Sequence, residues 1–399
     1  MTATLGSPAG RRGLAAVPPP WSVPVLAAAV FTTGVAQARA GGFTISDALI
    51  GAFIALTVLE TIAGRQQLRP IVVAALLPIL LVLTGSLVGT LEVGLRGWVL
   101  YDLFRDVGAA ASLLAVLQVF DRAPPRWFRL PARALLAGTV IVGIQLVFLD
   151  DQRLRAKATF PNPNLAGHFM ATCFMALVVL PVSSRARVVG LTAAAAGVIA
   201  TGSFGAIVQL VVGLLVLGIE AARHARPATR QLLTLALAGA LALLALAVAS
   251  GARFLPQQGE STGYNAAHLE RTTTGRVDLW GAAVDQIVET PWGIGPGSSR
   301  NLEVLREGTD STETHSEPLA FLAERGALGL LGLVALWATL WRFAVPGGVG
   351  RAMIASLVVA SLFRETSHYR HLWVLLALVV AYERAVAAAP SRSNQAVEA

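Results

Sequence analysis

The sequence predicts an all-α, polytopic integral membrane protein with about twelve transmembrane helices. Of its 399 residues, 55% are hydrophobic and only 14% are charged, and the mean hydropathy is +0.65. A water-facing surface cannot be built at this length from such a composition. Much of the apolar content is Ala, Leu, Val and Gly, which suits closely packed helices rather than a β-barrel.

Cysteine content and net charge exclude several other classes. The single cysteine, Cys173, lies inside an apolar run, so a disulfide framework and a cysteine-rich metal site are both excluded. The formal net charge is +8, but the basic residues lie in short loops between apolar runs, where positive charge reports membrane orientation. We therefore expect membrane lipids as partners and no nucleic acid.

Residues 1–20 are rich in Pro, Gly and Ala, and twelve apolar runs follow them. They occupy 21–38, 47–63, 70–89, 107–120, 134–149, 164–182, 188–200, 204–221, 231–250, 318–341, 352–363 and 371–387. Several are shorter than the roughly 20 residues that a perpendicular span needs. The predicted organisation is a disordered cytosolic tail over 1–20, nine spans over 21–250, a large external loop over 251–317, three spans over 318–387 and a cytosolic tail over 388–399.

The distribution of charge assigns a side of the membrane to each loop. With the N-terminus inside, the inner loops and tails hold 17 of the 31 basic residues and five of the 23 acidic ones, so the net charge is +12 inside and −4 outside. This asymmetry agrees with the positive-inside rule. It places the 251–317 loop outside, together with the short loops 91–106, 150–162, 201–203 and 364–370.

The outer loop before the sixth span combines cations with the start of a helix. Arg153, Arg155 and Lys157 precede Pro163, and proline is common at the first position of a helix. A helix N-terminus offers unpaired N–H groups and partial positive charge, so an anion is the natural occupant of this region. The alternative is that the three cations contact lipid phosphates and that Pro163 begins an ordinary span.

The large external loop contains a second candidate for anion binding. Apolar residues recur there at helical spacing, at Val277, Trp280, Val284, Ile287 and Val288. Three threonines can cap the segment and Pro291 stops it, which predicts an amphipathic helix over 275–290 on the membrane face. Arg276 falls in the first turn, where a cation opposes the helix dipole unless an anion is bound. The alternative is a salt bridge from Arg276 to Asp278 or to another nearby acid.

His315 is the candidate general base. It lies just before the tenth span, beside Glu313 and Glu317, at the outer membrane border. A histidine can accept a proton near neutral pH, and a neighbouring carboxylate raises its basicity. The alternatives are a structural or merely solvated histidine. A metal site is disfavoured because no second histidine stands at ligand spacing in this loop.

The glycine-rich run 293–297 invites comparison with a nucleotide-binding loop. It follows a helix stop rather than a strand, and it has no Lys-Ser or Lys-Thr pair after it. A phosphate-cradling loop needs both features. The run therefore predicts a tight turn.

These motifs resemble those of the O-antigen ligase and polymerase superfamily in their order and spacing, although each alone is degenerate. They are Gly275-Arg276 with Trp280, Pro291-Trp292-Gly293-Ile294-Gly295-Pro296-Gly297, His315-Ser316-Glu317, Glu324-Arg325-Gly326, Phe160-Pro161-Asn162-Pro163-Asn164 and Thr201-Gly202-Ser203. The resemblance covers the second half of the chain in motifs and the first half in topology only.

The resemblance implies an inverting glycosyltransferase that needs neither metal nor cofactor. It implies transfer of a glycan from undecaprenyl diphosphate to an acceptor such as lipid A-core, on the periplasmic face of the bacterial cytoplasmic membrane. In that scheme Arg276 contacts the donor diphosphate and His315 activates the acceptor hydroxyl. The expected substrate-binding residues lie in or beside the motifs and the outer loops: Arg105, Arg153, Arg155, Lys157, Asn162, Asn164, Trp280 and Glu317.

One position departs from the family pattern. The family often has Ser-Arg after the seventh span, where this chain has Ser203-Phe204. A cation expected to help hold the diphosphate is therefore missing at this position. Arg155 and Arg105 are the candidates to replace it.

Three other functions stay open at the level of sequence. A polymerase of the same superfamily would join repeat units instead of transferring a finished polymer. A transporter or flippase for a lipid-linked substrate would carry charges in mid-membrane and show two related halves. Charges inside the predicted spans are few, with Glu60 and Glu220 near inner ends, and no internal repeat is visible. A structural scaffold would not need the external Arg and His residues.

Overall fold

A computed structural model describes residues 19–35, 39–40, 43–64, 66–149, 156–160, 162–224, 280–298, 316–362, 364, 366 and 369–389. Almost all of these residues are helical. The described residues outside the helices form short turns and connections, together with a two-residue antiparallel pairing of β1 (Arg39–Ala40) with β2 (Phe43–Thr44). The protein is thus an all-helical, multi-pass membrane protein, as the composition predicts.

Twelve helices lie in the described part of the chain. They are α1 (Ser22–Val35), α2 (Ile45–Ile62), α3 (Pro70–Val93), α4 (Gly97–Phe120), α5 (Arg129–Ile144), α6 (Pro163–Val179), α7 (Ser184–Thr201), α8 (Phe204–His224), α9 (280–289), α10 (Glu317–Phe343), α11 (Val349–Ser361) and α12 (Arg370–Ala387). A short 3₁₀ turn, Pro125–Phe128, precedes α5, and a π-helical turn, Gln145–Leu149, extends it.

Six of these helices are long and apolar enough to cross a membrane, namely α2, α3, α4, α5 with its flanking turns, α8 and α10. Three shorter apolar helices are α1, α6 and α11. Eleven of the twelve predicted spans coincide with helices. The ninth, 231–250, lies outside the described residues, so the total of twelve spans stays a prediction. The same holds for the orientation of the spans and for the division into spans, external loop and tails.

The predicted start of the fourth span is wrong by about three turns. The sequence placed 91–106 in an outer loop, whereas α4 begins at Gly97 and carries Asp102, Arg105 and Asp106 within it. Both aspartates are buried and both pair with arginines, Asp102 with Arg105 and Asp106 with Arg325. Charged residues marked this segment as a loop in the sequence, but pairing inside the bundle lets the helix continue through them.

Side-chain caps fix the start of α2 and α6. Thr44 Oγ1 accepts a hydrogen bond from the Asp47 N–H at 3.2 Å, and an Asp47 carboxylate oxygen accepts one from the Thr44 N–H at 2.9 Å. Asn162 Oδ1 accepts from the Leu165 N–H at 2.9 Å, with Pro163 at the first helical position. Each cap stabilises its helix by about 1 kcal/mol. On the predicted orientation, both helices begin at the outer face of the membrane. We call the end of a helix that lies at this face its outer end.

Helices α3 and α10 pack along their length with backbones nearly touching. A Cβ atom on Gly89 would lie 2.5 Å from the Glu324 carbonyl oxygen, and one on Gly332 would lie 2.7 Å from the Pro78 carbonyl oxygen. Only glycine permits such approaches. Lipid tails are as apolar as leucine, so close packing of this kind is a main force that holds membrane helices together.

The tenth predicted span is interrupted at Gly326. There φ is 61° and ψ is −169°, so the chain leaves the helical conformation for one residue and then resumes it. A Cβ atom at this position would lie 2.5 Å from the Trp292 carbonyl oxygen. Glycine therefore meets two demands here, a left-handed φ and the close passage of another segment.

The segment that passes is the glycine-rich run 293–297. Its Ile294 N–H donates to the Ala323 carbonyl oxygen at 3.0 Å, and its Gly295 N–H donates to the Glu324 carbonyl oxygen at 2.8 Å. These donors satisfy carbonyl groups beside the break, which would be costly to leave unpaired in apolar surroundings. Gly293, Gly295 and Gly297 all have positive φ, so the predicted tight turn is confirmed.

The core of the bundle is centred on α12. Every residue from Leu372 to Ala381 is buried. A helix that is apolar on all sides belongs in the interior of a bundle. Helix α12 packs against α4, α6 and α11, so its outer end, at Arg370, lies among the outer ends of those helices.

Candidate outer-face site

Polar residues from three parts of the chain meet at the outer ends of α6, α10 and α12. We call them the outer polar cluster: Asn162, Glu317, Arg364, Thr366 and Tyr369. Arg364 donates from Nη1 to Asn162 Oδ1 at 3.3 Å and from Nη2 to the Tyr369 hydroxyl at 2.9 Å. Thr366 Oγ1 donates to Glu317 Oε2 at 2.7 Å. The segment between α11 and α12 thereby joins the starts of the two helices that carry the predicted site motifs.

Asn162 and Asn164 lie at the start of α6, as the sequence predicts. Asn162 has two roles, since its side-chain oxygen both caps the helix and accepts from Arg364. Asn164 is half-buried in the first turn. Lys157 is half-buried in the preceding segment, where the Thr159 hydroxyl donates to the Gly34 carbonyl oxygen at 2.9 Å. That segment is fixed against the end of α1.

Glu317 is the first residue of α10 and is fully buried. Its carboxylate accepts from Thr366, and the preceding Ser316 is buried as well. The motif carboxylate is therefore anchored inside the protein at the outer end of α10. His315 directly precedes this anchored pair in the sequence.

Below the cluster a chain of hydrogen bonds links α6 to α8. The Thr172 hydroxyl donates to the His168 carbonyl oxygen at 2.8 Å, so Thr172 Oγ1 is left to accept from Gln209 Nε2 at 3.0 Å. Gln209 Oε1 must then accept from His168 Nδ1, which lies at 2.6 Å. This order assigns the proton of neutral His168 to Nδ1 and leaves Nε2 as an acceptor.

A second polar group lies in α4 and the first half of α10. Arg325 donates to Asp106 and to Glu324, and its guanidinium lies 4.3 Å from the centroid of the Phe321 ring. Arg105 lies about two turns from the outer end of α4 and pairs with Asp102 at 2.7 Å. Arg105, predicted to contact substrate, thus has a carboxylate partner on its own helix.

Asp47 and Arg370 form a further ion pair at the outer ends of α2 and α12, with 2.7 Å between Oδ1 and Nη2. The aliphatic part of Arg370 passes beside Gly108 of α4, since a Cβ atom there would lie 3.4 Å from Arg370 Cδ. The pair therefore joins the outer ends of α2 and α12 and packs beside the middle of α4.

Trp280 is half-buried and begins the described part of α9. The predicted amphipathic helix over 275–290 is helical over the residues that the structure describes, 280–289. Ala283 faces the protein, whereas Val284, Val288 and Trp292 are exposed. A helix that exposes apolar residues beside a membrane protein's outer loops suits the membrane interface.

Four predicted site residues lie outside the described residues: Arg153, Arg155, Arg276 and His315. Their positions in space stay predictions. The first described residues that follow the last two lie in α9 and at the start of α10.

Sequence reasoning missed Arg364, Thr366 and Tyr369. A signal was present, because Arg364 is a cation in a segment that the charge count assigned to the outer face, and the same signal selected Arg153 and Arg155. His168 gave no signal, since it is a single polar residue within an apolar run.

Comparison with known families agrees with these motifs. Residues 189–334 match the model of the family described as O-Antigen ligase, while no curated protein matches the chain. The matched range runs from α7 to the second half of α10, and it includes the turn before α8, the 293–297 run and the break at Gly326. The match confirms the resemblance seen in the motifs. Over residues 189–334, this chain is thus similar to the O-antigen ligase and polymerase superfamily.

Proposed function

We propose that the protein is an O-antigen ligase-like glycosyltransferase. It moves a glycan from undecaprenyl diphosphate to a hydroxyl of an acceptor, such as lipid A-core or another envelope glycan or lipid, at the periplasmic face of the bacterial cytoplasmic membrane. The family match over 189–334 carries this proposal. The outer polar cluster supports it, because the starts of α6 and α10, which hold two of the predicted motifs, meet there.

The donor half of the reaction needs fixed positive charge. As the glycosidic bond breaks, the diphosphate leaves with the electron pair and gains negative charge. Arginine can stabilise that charge with two parallel hydrogen bonds, without a metal ion. In this proposal Arg276, just before the described start of α9, contacts the diphosphate.

The acceptor half needs a base. The acceptor oxygen attacks the anomeric carbon on the face opposite the diphosphate, so the configuration inverts, and the hydroxyl proton passes to His315. A base must lie within hydrogen-bond reach of that hydroxyl. His315 directly precedes Ser316 and Glu317 in the sequence. Both of these residues are buried, and the Glu317 carboxylate accepts a hydrogen bond from Thr366.

The surroundings of the 293–297 run suit a lipid-linked donor. Exposed Val288 and Trp292 precede the run, and the run itself is bonded to α10 beside the break at Gly326. Apolar side chains at the membrane border can contact a polyprenyl chain while the polar cluster lies at the adjacent helix ends.

A transporter or flippase for a lipid-linked substrate is the second candidate. The observation that favours it is the buried set Asp106, Glu324 and Arg325, because ionisable groups within spans often mark substrate or ion pathways. Direct pairing of Arg325 with both carboxylates favours a structural link instead. A polymerase of the same superfamily uses the same donor and differs in its acceptor.

Reconstitution separates these functions. Purified protein in proteoliposomes would receive a glycan on undecaprenyl diphosphate and one candidate acceptor at a time. A ligase releases undecaprenyl diphosphate and forms the glycan–acceptor product. A polymerase releases it while lengthening the lipid-linked glycan, and a flippase moves the lipid across the bilayer with no release. Translocation of the lipid-linked glycan without release of undecaprenyl diphosphate, whichever acceptor is supplied, would contradict the proposal.

A further inference from the structure

Four arginines lie at the inner ends of α5 and α7, which are the ends opposite the outer face. Arg129 and Arg133 belong to the first two turns of α5, and Arg185 and Arg187 belong to the first turn of α7. We call these four residues the inner arginine cluster. Arg129 and Arg133 lie on the same side of α5, where two like charges destabilise a helix. Within the described part of the chain, no ion pair forms with any of the four arginines.

The acids that the structure describes at the inner face are all engaged elsewhere in the bundle. Each accepts hydrogen bonds from a residue outside the cluster. The acids are Glu60, Asp121, Glu220 and Glu383, and their donors are Ser22 with Gln66, Arg384, Arg223 with the Gly347 N–H, and the N–H groups of Val349 and Gly350. These acids therefore do not neutralise the cluster, and its charge is available to an anion that comes from outside the described residues.

The packing of α5 against α7 brings two of the arginines together. A Cβ atom on Gly190 of α7 would lie 2.6 Å from Leu136 Cδ1 of α5. Arg187 precedes Gly190 by three residues, and Arg133 precedes Leu136 by three residues. Both arginines thus lie one turn before the helix contact. Packed helices have axes about 8–10 Å apart, so one phosphate group between the two helices lies within reach of both side chains.

The Arg187 side chain is held in place and still has a donor to offer. Its Nη2 donates to the Leu180 carbonyl oxygen at the end of α6, at 3.2 Å. Its Nε is buried and has no hydrogen-bond partner among the described residues. A buried donor that is left unpaired costs free energy, and an anionic oxygen is a strong acceptor for a guanidinium N–H. The geometry therefore favours an anion beside Arg187.

Exposed apolar side chains lie directly beside the cluster. The exposed fractions are 47% for Leu130, 63% for Val188 and 55% for Val189. These residues are sequence neighbours of Arg129 and Arg187, and α5 with its flanking turns is long and apolar enough to cross a membrane. Cations beside apolar surface at the membrane border fit a lipid that has an anionic headgroup and acyl chains. A free anion would use only the charged half of this surface.

We propose that the inner arginine cluster binds an anionic phospholipid of the inner leaflet. Its phosphate lies between Arg133 and Arg187, and its acyl chains lie along Leu130, Val188 and Val189. The predicted orientation supplies the leaflet, whereas the charge and the packing supply the class of ligand. The inference does not depend on the proposed function, because it concerns the opposite face of the membrane.

The test measures lipid binding to the full-length protein in detergent micelles by native mass spectrometry. The probes are phosphatidylglycerol and phosphatidylcholine with the same acyl chains. Wild type should bind phosphatidylglycerol more tightly. Arg133→Gln should weaken that binding roughly 5-fold, and Arg133→Gln with Arg187→Gln roughly 30-fold, because each basic residue near an anionic headgroup contributes a similar increment. The binding of phosphatidylcholine should not change. Equal affinity for phosphatidylglycerol in wild type and the double variant would overturn the inference.

The matched control is Arg122→Gln with Arg342→Gln. It removes the same charge from two exposed arginines at the inner ends of α4 and α10, and it should keep the wild-type affinity. An equal loss in both double variants would show a general charge effect and contradict a specific site. If variants of Arg187 do not fold, Arg129→Gln with Arg133→Gln decides, since both residues are exposed and the bond to Leu180 stays intact. Wild-type affinity in that variant would contradict the inference.

A competition experiment separates a lipid from a free anion. Inorganic phosphate carries the charge but has no acyl chains, so it should not displace phosphatidylglycerol from wild type. Val188→Ser with Val189→Ser keeps all four arginines and removes apolar contact, so it should weaken the binding of phosphatidylglycerol. Displacement by inorganic phosphate, together with unchanged lipid affinity in the serine variant, would assign the cluster to a free anion and overturn the proposal.

Discussion

Arg325 donates two hydrogen bonds to a single oxygen of Asp106, although 219 residues separate the two in the sequence. Nε lies 2.9 Å and Nη2 lies 2.7 Å from Asp106 Oδ2, and Nη1 donates to Glu324 at 2.8 Å. Arg325 immediately precedes the break at Gly326. The first half of α10, which begins at Glu317, is thus joined to α4 at the point where its own helical hydrogen bonds are interrupted.

Replacing Asp106 with alanine should destabilise the protein strongly. Removal of one partner leaves part of a buried charge uncompensated, which costs about 3–5 kcal/mol. The measurement is unfolding of the purified protein in detergent micelles. The matched variant combines Asp106→Leu, Glu324→Gln and Arg325→Met, so that all three charges of the set are gone, and it should recover much of the loss. Wild-type stability in Asp106→Ala would show that the pair does not hold α10 to α4.

Gly297→Ala should also be destabilising, by about 1–3 kcal/mol, because φ is 72° and the new Cβ atom would collide with the Asp102 carboxylate. The control is Gly281→Ala in α9, where no atom lies within 4 Å of the new Cβ atom. That change should be neutral or slightly stabilising. Thermal unfolding of both variants checks the prediction, and equal melting temperatures would contradict it.

The predicted orientation can be tested with an impermeant thiol reagent on intact cells or spheroplasts. In a Cys173→Ala background, a cysteine that replaces Ser261 should react from outside, whereas one that replaces Ser183 should not. Ser183 caps α7 and is exposed, so a lack of reaction there reports the side of the membrane and not burial. Equal labelling of both positions would overturn the orientation and the location of the site.

Apolar periodicity and charge were sufficient to predict the multi-pass helical class and helices at eleven span positions. They failed at α4, because Asp102, Arg105 and Asp106 give this segment the charge pattern of an exposed loop. The two aspartates can be buried because Asp102 pairs with Arg105 and Asp106 pairs with Arg325. The break at Gly326 was also missed. Gly326 follows Glu324 and Arg325 in the sequence, and nothing in these three residues shows that another segment passes beside them.

The candidate site was predictable where residues lie in short motifs, as Asn162 and Glu317 do. Their partners were not, because Arg364 lies 202 residues from Asn162 and Thr366 lies 49 residues from Glu317. Pairings at such separations depend on how the helices pack. A single sequence gives no information on that packing. It therefore does not distinguish Arg364 from the other cations assigned to the outer face.

The proposed base predicts a specific pH dependence. Protonated His315 cannot accept the acceptor's proton, so the transfer rate should fall as the pH drops through the imidazole pKa, about 6.5 for an unperturbed histidine. His315→Ala should lower the rate roughly 10²- to 10⁴-fold while donor binding is retained. Initial rates across a pH series check both expectations. If His315→Gln keeps near-normal turnover and the same acid limb, the proton passes to another group, with Glu313 and Glu317 next in line.

The most direct test of the proposed function is the release of undecaprenyl diphosphate by reconstituted wild type, Arg276→Ala and Arg276→Lys, each with a lipid-linked glycan and an acceptor. Wild type should release the diphosphate carrier in step with the glycan–acceptor product. The alanine variant should insert and fold normally yet release none, and the lysine variant should recover only part of the rate, because a point charge cannot replace the guanidinium fork. Normal release by Arg276→Ala would contradict the account and place the donor site elsewhere.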